Sequence, residues 1–208
     1  RILLKDKAIP DLLILPWWQD RDNPLNPPPN VDVDEWRHGL AENLSKTFGG
    51  QAAQQSLLLE ALDELPKDTT LVDLHSSLEK KKNKASFTQR TYLDRVTNKI
   101  HEYSRGKMKN VVDVIEGYSK VELLKRNVVY EYTGLSTEYI EFWVNHKLRW
   151  VEAYKRNNPI FTHGNVIDEA WRVLGKSQNE KFLSQRIRTF REQQEILIFA
   201  DQSPSYLE

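Results

Sequence analysis

The sequence predicts an α/β protein: a parallel sheet flanked by helices, with an all-helical insertion. Three observations carry this. DLLIL (11–15), NVVYEY (127–132), the run from His163 to Ile167, and ILIFA (196–200) have the length and apolar or β-branched composition of strands. The last three alternate with stretches of helical period. That β-α-β-α-β order gives a parallel sheet with right-handed crossovers. Between 31 and 105, in contrast, every apolar run repeats with helical spacing.

Taken in order, DLLIL is ended by Pro16, and PWWQDRDNPLNPPPN follows. Its prolines forbid both helix and interior strand, so it reads as an extended connector. A polyproline ligand is the alternative reading. In DVDEWRHGLAENLSKTFGG, Trp36, Leu40, Leu44 and Phe48 fall on one helical face, with Asp34 placed to cap the start and Gly49-Gly50 to end it. QQSLLLEALDEL (54–65) is a second helix, stopped by Pro66. Thr70 caps a third, LVDLHSSLEKKK, and Ser86 a fourth that carries Leu93, Val96, Ile100 and Tyr103 and closes at Gly106. Ser119 caps the short VELLKR, which leads into NVVYEY, read as a buried strand. Ser136 caps a long helix with Ile140, Trp143, Val144, Leu148, Val151 and Tyr154 along one side. NEKFLSQRIRTFREQ is the helix between the last two strands.

Composition narrows the function classes. Lys and Arg number 30 and so do Asp and Glu, so no global basic field draws the chain to nucleic acid. The basic clusters KKKNK (80–84) and RGKMK (105–109), and the group Arg186, Arg188 and Arg191, read as solvated helix faces, with a phosphate contact the lesser reading of KKKNK. No apolar run approaches the ~18 residues of a membrane span, and the opening residues show no signal-peptide pattern. Cysteine is absent, which removes disulfides, thiolate zinc sites and cysteine nucleophiles. The five histidines show no metal-ligand spacing. A cytoplasmic protein is expected. The first residue is Arg rather than Met, so a piece of a longer chain is expected too.

The chemistry-bearing residues sit where parallel sheets present ligands, at the C-terminal ends of strands. Thr133, Asp168-Glu169 and Asp201-Gln202 all fall there, and the expectation is that they converge on one edge. In GNVIDEAWRV, Asp168 and Glu169 close a short apolar run, the way an ATPase presents the acids that hold magnesium and aim a water. AWRVLGKS (170–177) resembles a relaxed phosphate loop, with Lys176 and Ser177 in the phosphate and magnesium positions. Trp171, Arg172, Val173 and Leu174 are too bulky for a loop whose backbone N–H groups must curl round phosphates, so it reads as a turn after the strand. The chain contains no other such pattern, and the working phosphate loop is expected upstream of Arg1.

Four strings, KRNVVYEYTGLS, STEYIEFWVNHKLRWVEAYKRNN, NVIDEAWRV and RTFREQQEILIFADQSPSYL, resemble in this order the HerA-type ATPases of the HerA/FtsK group of P-loop DNA translocases, relatives of the ATPases of conjugation machines. NPLNPPPNVDVDEW and SLLLEALDEL resemble that family's connector and helical insertion. The resemblance implies a partial RecA-like sheet, divided as strand and connector (1–30), helical insertion (31–110) and C-terminal ATPase core (111–208). It implies ATP and Mg2+ as cofactors. Asp168 would bind magnesium and Glu169 polarise the attacking water. Gln202 would sense the γ-phosphate, and Arg191 would face nucleotide. It also implies a hexameric ring, DNA as a partner, a nuclease or effector as another, and no membrane. Two other readings stay open: a non-catalytic assembly or binding module that keeps the fold, and a self-contained nucleotide binder using Lys176.

Overall fold

A computed structural model describes residues 12–47, 52–159, 162–170, 187–192 and 195–200. All four expected strands form: β1 (Leu12–Pro16), β2 (Asn127–Glu131), β3 (Gly164–Ile167) and β4 (Ile196–Phe199). They pair as two separate parallel ladders, β1 with β2 and β3 with β4. The fold is mixed α/β, with short parallel ladders flanked by helices, as expected of a partial RecA-like core. The chain divides into two compact units, one from Arg1–Leu25 and Glu64–Gly134, the other from Asn26–Asp63 and Leu135–Glu208.

The first unit holds the β1–β2 ladder, registered from Leu12 opposite Asn127 to Pro16 opposite Glu131. Its helices are α3 (Leu71–Lys84), α4 (Phe87–Tyr103), α5 (Gly106–Val112) and α6 (Lys120–Leu124); α1 (Val33–Thr47), α2 (Ala52–Asp63) and α7 (Thr137–Arg156) belong to the second unit. Thr70 starts α3 through a capping box with Asp73. At the start of α4 the Ser86 N–H donates to Gln89 Oε1 at 3.2 Å. The expected face of α4 is buried, with Thr97 added. Gly106 does not simply close α4. At φ +54° it opens α5, a helix the apolar spacing did not predict. Ser119 starts α6 by accepting from Glu122 N.

β2 is not a buried strand. Val129 is 42% exposed, since alternate residues of a strand face opposite ways and its face is left open.

The second unit holds α1 (Val33–Thr47), α2 (Ala52–Asp63), α7 (Thr137–Arg156) and the β3–β4 ladder. Asp32, not Asp34, caps α1. Its Oδ1 accepts from the N–H groups of Asp34 at 3.0 Å and Glu35 at 2.9 Å. A cap must stand one residue outside the helix to reach those donors, and Asp34 is already inside it. Trp36, Leu40 and Leu44 are buried as expected; Phe48 lies outside the described residues.

Helix α7 is buried on more than its apolar stripe. Glu141, Asn145, His146 and Lys155 are buried along with Ile140, Trp143, Leu148 and Val151. Trp36, Phe142 and Trp143 all place their rings against His146. Arg149 lies over the Trp36 ring at 4.8 Å, and its guanidinium occupies the space a side chain at Gly39 would need.

Candidate functional site

The acid pair stands at the C-terminal end of β3, on a break in the ladder. Ile196 N donates to His163 O, and four residues on Ala200 N donates to Ile167 O at 2.9 Å. In a regular parallel ladder the next donor would be Glu169 N. Instead Ala170 N donates to Ala200 O at 3.1 Å. One extra residue is inserted, so Asp168 and Glu169 together oppose Ala200 in a β-bulge, a device common beside active sites.

The bulge frees the Glu169 N–H from the ladder, and Asp168 Oδ1 accepts it at 2.9 Å. Glu169 takes φ +51°, in the left-handed region that a glutamate enters only at a cost. Asp168 is exposed, Glu169 half-buried and Ala170 buried, so the buried alanine anchors the end while the carboxylates turn outward. Strain of this kind at a strand end is a pointer to function.

The other expected site residues are distributed differently. Arg191 lies on the exposed side of a helical stretch, 187–192, which Phe190, 1% exposed, anchors. Gln202, Lys176 and Ser177 lie outside the described residues. Thr133 follows β2, whose ladder is separate from that of β3 and β4 among the described residues. Its carbonyl accepts from Trp17 Nε1 at 3.1 Å, and its hydroxyl donates to Glu131 Oε1 at 3.2 Å. The expected convergence on one edge assumed one continuous sheet, and strand spacing alone carries no pairing partner.

Sequence reasoning missed a buried polar group at the opposite end of the β3–β4 ladder. Lys155, in the last turn of α7, donates to Glu195 Oε1 at 2.7 Å, with the two side chains 3% and 0% exposed. Asn165, inside β3, donates to Glu195 Oε2 at 3.3 Å. His163 adjoins them. Burial lowers its pKa, against the pull of Glu195 and a hydrogen bond to Asn165. The available signal was Asn165, a polar residue interrupting an apolar strand.

No group of three or more metal-binding side chains occurs among the described residues. Nor is any described helix long and apolar enough to cross a membrane.

No protein-family model and no curated protein sequence matches the chain. Among solved structures it is similar to VirB4 of Thermoanaerobacter pseudethanolicus, with a TM-score of 0.67 at 13% sequence identity. The match covers 100% of this chain and 60% of VirB4, so the chain spans less than two thirds of that protein's length. At that identity the likeness shows the fold.

Proposed function

We propose that the chain is part of an ATP-dependent motor core of the HerA/FtsK kind and supplies the acid side of its ATP site. One observation carries the reading: an Asp-Glu pair raised on a strained bulge at the C-terminal end of a parallel strand. The fold shared with VirB4 supports it independently of that motif. Mg2+ and ATP, when bound, would supply the charge neutralisation and leaving group of phosphoryl transfer. Asp168 holds the metal's water shell from its exposed position. Glu169, turned out of the ladder, orients and polarises the attacking water. Arg191 faces nucleotide and Gln202 reads the terminal phosphate. The reading requires a phosphate loop that these 208 residues do not themselves carry. The same reading proposes a cytoplasmic hexameric ring acting on DNA, with a nuclease or effector as partner.

The test is ATP turnover by the full-length chain with its phosphate loop. Glu169→Gln should leave ATP bound and slow hydrolysis by about 10²- to 10⁴-fold, the usual contribution of a positioned general base. Unchanged turnover would overturn the reading. A full-length chain that binds no ATP would instead favour an assembly module on the same fold. DNA binding is tested by its salt dependence, which should be steep if phosphates are contacted.

A further inference from the structure

We propose that Lys155, Glu195 and Asn165 form a register lock that positions the acid pair from the far end of the β3–β4 ladder. This rests on reading Asp168-Glu169 as the acids of an ATP site. The need for a lock follows from the strands themselves. A hairpin's turn sets its register, but β3 and β4 are parallel and joined by the long stretch between Ile167 and Ile196, which imposes none. Hydrophobic pattern normally sets register instead. Here ILIF offers apolar residues on both faces: Ile196 and Ile198 are 58% and 49% exposed, while Leu197 and Phe199 face the other way. A slip of one residue would exchange two nearly equivalent sets.

Asn165 breaks that degeneracy. It is the polar residue within β3, and it donates to Glu195, the residue immediately before β4. Glu195 is held in turn by Lys155 from the end of α7. Both carboxylate oxygens are thus engaged, one from the neighbouring strand and one from the helix. A slipped β4 would strand a buried carboxylate away from its partners, which is costly. With Asn165 held opposite Leu197, Ala200 arrives opposite the acid pair, and the bulge that turns out Glu169 closes there. The three residues act through the ladder, as positioning groups.

Amide hydrogen exchange at Ala170 and Ala200, whose N–H groups close the bulge, tests this on the 208-residue chain. Replacing the ion pair by Lys155→Met with Glu195→Leu should restore packing and keep the unit folded. It should nevertheless cost Ala170 and Ala200 about tenfold or more of their protection, with the α1 and α7 amides unchanged. Wild-type protection at both amides would overturn the lock, and so would a uniform loss across the unit, which marks a purely structural role. If the double variant does not fold, Asn165→Leu decides, because it leaves the ion pair intact: selective loss supports the lock, and no loss or uniform loss overturns it. The readout needs no ATP. A lock that holds while Glu169→Gln leaves turnover unchanged would sink the ATP reading alone.

Discussion

Each ladder is followed by a left-handed residue, and the two residues differ. After β2 it is Gly134, at φ +85°; after β3 it is Glu169, at φ +51°. Glycine meets no steric penalty there, whereas glutamate does. The first ladder's end is also tied down, with Trp17 donating to the Thr133 carbonyl, while the second ends in a bulge that exposes Asp168. One end follows the residue preferences of a stable turn and the other departs from them. On the proposed reading, the difference separates a connection from a site.

Four sets of changes break or sharpen that contrast. The largest effects should come from the buried ion pair beside each ladder. Lys155→Met leaves the Glu195 carboxylate, 0% exposed, without its cation, and should destabilise the second unit by about 3–5 kcal/mol. Lys120→Met removes the partner of Asp22 at 2.6 Å in the first unit. It should cost less, because Lys120 is 13% exposed and water reaches it. Urea unfolding read by hydrogen exchange in each unit compares the two.

Next is Gly117→Ala, confined to the first unit. A Cβ there would lie 1.9 Å from the Arg21 carbonyl oxygen, a backbone atom that cannot swing aside. A loss of about 1–3 kcal/mol is expected in the same measurement.

Substitution at the two left-handed residues should have opposite signs. Gly134→Ala should destabilise by about 1 kcal/mol, and Glu169→Gly should stabilise by about 1 kcal/mol while abolishing turnover. Thermal melts settle both signs. A Glu169→Gly chain no more stable than the wild type would mean that the bulge stores no strain.

The gentlest lever is pH. His75 has a pKa lowered by burial and then by His101, whose Nδ1 lies 3.0 Å from His75 Nε2; Lys82 and Arg105 act the same way and Glu79 opposes them. In the second unit burial lowers His163. Folding favours the neutral ring at both sites, so their contribution is complete above the ordinary histidine value of 6.5 and is lost as pH falls below it. His75→Gln and His163→Gln should each flatten that acid limb in their own unit, as seen in stability measured against pH.

Much of this was legible along the chain. Thr70 with Asp73 and Ser119 with Glu122 are local caps, and each formed where its residues stood. The cap on α1 was misplaced by two residues because DVDE offers several acids within one turn. Helix α5 was missed because GKMKNVV is too short to show a period. The apolar stripe of α7 was legible, but not Glu141, Asn145, His146 and Lys155 beside it, since charged and polar residues read as solvent-facing until their partners are known. Of the candidate site, Asp168 and Glu169 were legible as a pair at a strand end. Their bulge was not, because it is defined by Ala200, far along the chain.

The sequence by itself determined the strands, most of the helices and the position of the acid pair, because propensity, capping and periodicity act over a few residues. Tertiary structure alone decided that β1 pairs with β2 and β3 with β4, that Glu169 turns left-handed, and that Lys155, Asn165 and Glu195 meet in a buried group. Each of those outcomes depends on hydrogen bonds between residues distant in the chain, and spacing along a sequence does not encode which distant partner a group will find.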